Sequence, residues 1–274
     1  MAITTLDGMV AGFIAPQFFI KSATALEAAG VMQSLFYMVG RPGAAAVPSP
    51  GINGAALTTY AGQIPFSNPG AGNTYLTRFS GLSSIVGTII LADRLWHNSG
   101  IVVTTTTAQA IASGAMPARD NNGSANGDGL LCGIEVSTAT TNGAAVTNTT
   151  LDYTDSDGNA AQTGTIPSTM PGGGFPATAV AGTFVPFQLA AGDKGIRTIE
   201  GVTLGTSYGA GTIHLVVYRV LAVGTVGVTV VGFDLDAFAL GMPRLFDNTV
   251  PFLIYVPQTT GTPSFFGQVG YAQG

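Results

Sequence analysis

Charge is what this chain has least of. Only 8% of its 274 residues are Asp, Glu, Lys or Arg, against roughly 25% in soluble domains. So few charges protect a surface poorly against association, which predicts a chain that works covered by copies of itself or by partners. Its nine basic residues are scattered from Lys21 to Arg244 and the net charge is −5. That leaves no cationic stripe to neutralise phosphates, and direct nucleic-acid binding is not expected.

Other groups are nearly as scarce. Cys132 is the only cysteine, which excludes an intrachain disulfide and any Cys-cluster metal site. Flanked by Leu130, Leu131 and Ile134, it reads as a small buried hydrophobe. His97 and His214 are the only histidines; one follows Trp96 at a strand end and the other interrupts an apolar run, as packed or rim histidines do. A membrane-length apolar run is also lacking. The best candidate, Ile213 to Phe233, carries Arg219 and much Val, Thr and Gly, and its uninterrupted part is shorter than the ~20 residues of a spanning helix. It reads as buried strands. The opening MAITTLDGMVAGF contains Asp7 and no basic residue before an apolar block, so no Sec signal peptide and synthesis in a cytoplasm are expected.

What is present is β-forming. Short runs of Val, Ile, Thr, Tyr and Phe recur between clusters of Gly, Asn, Asp and Pro. Strands are predicted at Ser34–Val39, Gly87–Leu95, Ile101–Thr106, Leu130–Ser137, Val146–Thr154, Ala160–Ile166, Thr183–Leu189, Ile196–Thr206, Thr212–Ala222, Gly227–Phe233, Phe252–Val256 and Phe265–Tyr271. Many short strands at such spacing predict an all-β chain with a β-sandwich or jelly-roll-like domain. Thr150 to Thr163 reads as a hairpin turning at Asp157-Gly158, and Gly201 to Val217 as a second through Ser207 to Gly211, with the limb from Ile213 in a sheet centre. Helix is expected only at Asp234–Leu240, capped by an Asp and ended by Gly241, and at Ala23–Ala29.

Residues 40–72 are broken by Arg41-Pro-Gly, Pro48-Ser-Pro-Gly51, Ile64-Pro-Phe and Asn68-Pro-Gly70. They fit either an extended arm docking on a neighbouring subunit or an irregular loop packed on its own domain. The expected division is an irregular N-terminal arm, 1–86, followed by a sandwich domain, 87–274. No fixed-period repeat is visible.

Motif searches argue against catalysis. Gly205-Thr-Ser207-Tyr-Gly209 matches G-x-S-x-G, but an apolar strand follows where the nucleophile elbow requires a helix. Asp152, Asp155, Asp157 and Asn159, and separately Asp120, Asn122, Asn126 and Asp128, offer oxygens to Ca²⁺ without EF-hand spacing; they are also the residues turns select. Asn122-Gly-Ser124 and Asn148-Thr-Thr150 are formal glycosylation sequons that mean little without export. No phosphate-cradling or dinucleotide-binding Gly motif occurs. Catalytic, cofactor-binding and metal-ligating residues are therefore all read as none.

Several phrases carry a resemblance: Ser34-Leu-Phe-Tyr-Met-Val-Gly-Arg-Pro-Gly43, Tyr60-Ala-Gly-Gln-Ile-Pro-Phe66, Asn73-Thr-Tyr-Leu-Thr-Arg-Phe79, Leu91-Ala-Asp-Arg-Leu-Trp-His-Asn-Ser-Gly100, Met242-Pro-Arg-Leu-Phe-Asp-Asn248 and Val250-Pro-Phe-Leu253. In texture they make the chain similar to structural proteins of tailed-bacteriophage particles over most of its length. The resemblance implies a non-enzymatic capsid decoration or cement protein, assembled in the bacterial host cytoplasm into the virion. It would contact copies of itself, as a trimer by analogy, and the major capsid protein, with no cofactor. Alternatives are a major capsid or tail subunit, or a head fibre that binds host glycans.

Overall fold

The computed structural model describes residues 3–22, 25–167 and 174–274. In chain order the elements are α1 (Leu6–Ala11), β1 (Gln17–Ser22), β2 (Met32–Ser34), β3 (Val39–Arg41), β4 (Ala55–Ala56), β5 (Thr74–Ser83), β6 (Gly87–His97), β7 (Gln109–Ala110) and β8 (Leu131–Thr138). There follow β9 (Thr150–Asp155), β10 (Gln162–Thr165), β11 (Thr183–Pro186), β12 (Ile196–Thr203), β13 (Thr212–Val226), β14 (Phe233–Leu235), α2 (Ala237–Leu240), β15 (Arg244–Leu245), β16 (Pro251–Pro257) and β17 (Ser264–Gln273). The chain is all-β, as its composition predicts.

At the centre, β13, β8, β11, β2, β16 and β6 pair in that order, and a further β13–β6 pairing closes them into a ring, with β4 appended to β6. Strand alternation gives the ring two apolar surfaces. Inside lie Ala92, Phe184, Val216, Tyr218, Phe252 and Ile254, plugged by Phe36. Outside, Cys132, Ile134, Val136, Leu215 and Val217 pack against Leu151, Tyr153, Ile199 and Val202, which belong to a four-stranded sheet ordered β10-β9-β12-β7. On another flank Ile89, Leu91, Leu253 and Tyr255 pack against Phe19, Phe79, Phe265 and Val269. Those last four belong to a six-stranded sheet ordered β14-β5-β17-β1-β3, with β15 also on β5. With neighbours on both surfaces, the ring strands need the continuous apolar runs seen in β13 and β16.

Several expectations are corrected. The strand expected over Ser34–Val39 is broken by a turn at 35–38 between β2 and β3: Phe36 N–H donates to Ser34 Oγ at 3.3 Å and Met38 N–H to the Leu35 carbonyl at 3.3 Å. This swings Phe36 into the ring. Residues 101–106 are also irregular, because the Gln109 amide bonds both Val102 N–H and its carbonyl, at 2.8 and 3.1 Å. In 227–233 a turn at Val228–Val231 precedes β14, with Val230 at φ 58°. The hairpin expected over 201–217 is a crossover, since β12 pairs with β9 and β7 while β13 pairs with β8 and β6. No helix forms over 25–29, and residues 23 and 24 lie outside the described set. The β9–β10 hairpin does form, with Gln162 opposite Tyr153 and Gly158 at φ 90°. α2 is capped as expected, by the Asp236 carboxylate and by Gly241 in the left-handed region, and starts three residues after Asp234.

The expected boundary at 86/87 falls in the turn between β5 and β6, and strands from both sides of it share sheets: β2 lies between β11 and β16, and β5 and β1 flank β17. Residues 40–72 are largely irregular and pack on their own chain. Leu57 and Ile64 are buried there, and Tyr60 stacks on Phe36 at 5.7 Å.

Candidate interaction surface

The reactive groups are tied into the fold. Ser207 Oγ accepts from Gly209 N–H at 3.1 Å, while His214 spends Nε2 on Ser137 Oγ and Nδ1 on the Asn98 carbonyl, each at 2.8 Å. The G-x-S-x-G serine and the nearest histidine in sequence are thus engaged with different partners. His97 Nδ1 accepts from Arg94 Nε at 3.1 Å; burial first, and then the Arg94 charge, push its pKa down to about 3, so the imidazole stays neutral. Burial also lowers His214 and pushes the Cys132 thiol far up, away from thiolate chemistry.

The acidic loops bond to themselves. Asp120 accepts from the backbone N–H groups of Asn122, Ser124, Gly127 and Asp128 and from Ser124 Oγ, at 2.6 to 3.2 Å. Partial burial opposes its ionisation, yet the bonds from Ser124, Asn122 and Asp128 hold it below the usual carboxylate range. Asp155 closes the β9–β10 turn on Asn159 N and Nδ2, both at 2.8 Å. Asn122 Nδ2 donates to Asp128 at 2.8 Å, and Asp157 lies 3.7 Å from Lys194. Among the described residues, no group of three or more His, Cys, Asp or Glu is placed to hold a metal.

Two buried ion pairs were not anticipated from the sequence. Inside the ring Arg94 makes a two-point contact with Glu135, at 2.8 and 2.7 Å, with both side chains fully buried. Tyr37 OH donates to the same carboxylate at 2.7 Å, and the guanidinium lies 4.5 Å from the centre of the Phe36 ring. Burial alone would raise Glu135, but Arg94 holds it ionised. Outside the ring, Arg119 grips Asp93 at 3.0 Å and the Leu57 carbonyl at 2.6 Å, and Asp93 also takes Val250 N–H at 2.8 Å. The first pair ties β6 to β8 and to the turn at Tyr37, and the second pins the irregular 40–72 segment to β6 through Leu57.

Seven of the exposed large apolar side chains gather on one face of the six-stranded sheet and the helices at its end. In β1 the alternation sends Phe19 and Lys21 inward and Phe18, Ile20 and Ser22 outward. Ile20 stands opposite Phe266 of β17, which stands opposite Leu82 of β5. At the far end of the same face α1 and α2 pack through Met9 and Ala237 onto Ala272, and expose Leu6, Val10 and Phe238. Phe13 is 50% exposed, Phe18 54%, Phe266 44% and Phe238 83%.

Three cavities run in line across this face. One of about 300 Å³ lies between Leu6, Met9 and Phe238, and the next, about 520 Å³, between Phe13, Arg78, Phe238 and Gly270. The third, about 290 Å³, is an open trough floored by Phe18, Leu82, Phe233 and Phe266. Gly270 pairs with Arg78 and Gln268 with Ser80, which makes the second and third neighbours along β17. Arg78 is neutralised by Asp234 of β14 at 2.6 Å, and the Asp236 carboxylate accepts the first N–H groups of α2. Sequence reasoning missed these residues because Phe18-Phe-Ile20 and Phe265-Phe266 look like core runs. A signal was available: in a strand, adjacent aromatics must point to opposite faces.

Comparison with protein-family models, with curated proteins and with solved structures finds no match.

Proposed function

We propose that this chain is a non-enzymatic structural subunit of a bacteriophage particle, a decoration or cement protein that stabilises the head through contacts with copies of itself and with the major capsid protein. The observation that carries the reading is the apolar face of the six-stranded sheet, where four phenylalanines stand open among almost no free charge. Contiguous apolar surface of this kind marks an interaction site. A clamp between neighbouring subunits needs area rather than reactive groups, and the scarcity of charge lowers the desolvation cost of covering it. The phage setting comes from the resemblance in the sequence.

The test is to add purified protein to particles that lack it and to image them by electron cryomicroscopy. The expected result is repeated density on the outer head lattice, at a fixed ratio to the major capsid protein, together with higher heat resistance of the head. Density confined to the tail, or no binding, would overturn the proposal.

A further inference from the structure

We infer that the open face of the six-stranded sheet docks onto the same face of a second copy of this chain, about a twofold axis lying across the strands. The inference rests on the assembly role proposed above and names the first partner in it.

The face is stepped. At one end α1 and α2 form a ridge topped by Phe238, which at 83% exposure is the most exposed large apolar side chain among the described residues. At the other end the sheet is bare, and the trough between Phe18, Leu82, Phe233 and Phe266 holds about 290 Å³ of unfilled space. A twofold axis across the strands exchanges these ends. Each ridge then sits over the partner's trough, and each Phe238 gains an apolar pocket. An axis along the strands would set ridge on ridge and leave both troughs empty. Self-complementarity is what an isologous dimer requires.

Area and charge agree with this occupant. The exposed parts of Leu6, Val10, Phe13, Phe18, Ile20, Phe238 and Phe266 amount to roughly 700 Å² of apolar surface, near the ~800 Å² per partner of a standard interface. Covering them strips few charges, since Arg78 and Asp234 neutralise each other and Asp236 is held by α2. A bilayer would favour a cationic rim, whereas here Lys21 turns into the core, Arg78 is paired, and Arg41, opposite Ile20 at the β3 edge, is a single exposed cation.

Sedimentation of the full chain is the first measurement, with twice the chain mass of 27.6 kDa expected. Phe238→Asp should raise the dissociation constant at least ~100-fold, as loss of an aromatic anchor seated in a partner's pocket does. Its circular dichroism and thermal midpoint should be unchanged, because the side chain is exposed. Geometry is read by mixing Phe238→Cys protein with Phe266→Cys protein under mild oxidation, where a disulfide-linked dimer is expected in the mixture and not in either sample alone. A wild-type monomer at all concentrations, a trimer insensitive to Phe238→Asp, or cross-links only between like variants would overturn the inference. A monomer that still attaches to particles overturns this inference alone, and a dimer that does not attach supports it while overturning the proposed function.

Discussion

Arg94 and Glu135 illustrate how few charges this protein has and how it uses them. Inside the ring neither could be ionised alone, and removing one partner strands the other in an apolar interior. Glu135→Gln is expected to cost about 3–5 kcal/mol in urea unfolding, whereas replacing the pair together with Met and Leu should cost far less; equal losses would show that the pair acts independently. The histidines set a pH dependence. Burial holds both below their ordinary value, His97 at about 3 instead of 6.5, so the unfolded chain takes up protons that the folded chain cannot. Stability is therefore complete above about pH 6.5 and falls as pH drops toward 3, His97 contributing a slope approaching ~1.4 kcal/mol per pH unit and His214 a loss of the same sign. The urea midpoint should accordingly be lower at pH 5 than at pH 7, and His97→Phe should flatten that difference. Neither role was legible in the sequence. Arg94 and Glu135 sit in strands predicted correctly, but their meeting depends on the ring closing.

At the scale of elements, the legible strands are ring strands buried on both faces, and β17, whose open side is itself apolar at Phe266. β6, β8, β13, β16 and β17 carry runs of β-branched and aromatic residues that leave no other assignment. β1 and β5 were missed for the opposite reason: Lys21 points inward, and the surface of β5 carries Arg78 and Ser80, which dilutes the apolar pattern. The crossover from β12 to β13 was misread as a hairpin because a Gly-rich connection serves a sheet change as well as a tight turn. Ring closure also explains a glycine. A Cβ on Gly133 would sit 2.6 Å from the Phe184 ring and 3.2 Å from the Val185 carbonyl, so β8 and β11 pair closely only with Gly there. Gly133→Ala is expected to cost about 1–3 kcal/mol by overpacking, measurable as a fall in thermal midpoint; an unchanged midpoint would show that Phe184 can move aside freely.

For the whole molecule, the interleaving of both chain halves governs what can be removed. Deleting residues 1–86 takes β2 from the ring and β1, β3 and β5 from the six-stranded sheet. The product should lack cooperative unfolding and fail to stay soluble; a soluble, cooperatively folding fragment 87–274 would contradict this. The candidate site was legible only as a need: the sequence predicts a surface that wants covering, but which face remains open follows from where α1 and α2 land. The same interleaving has a consequence for synthesis in the cell. Ser84 and Ser264 bond across β5 and β17 although they are 180 residues apart, an interval of roughly 10–40 s at ~5–20 residues per second on the ribosome. Until β17 emerges, β1 and β5 have no shared neighbour and Phe18, Leu82 and Phe266 form no common surface. The adhesive face therefore cannot exist on a nascent chain until β17 has been made, however early β1 and β5 emerge among identical neighbours on the same message.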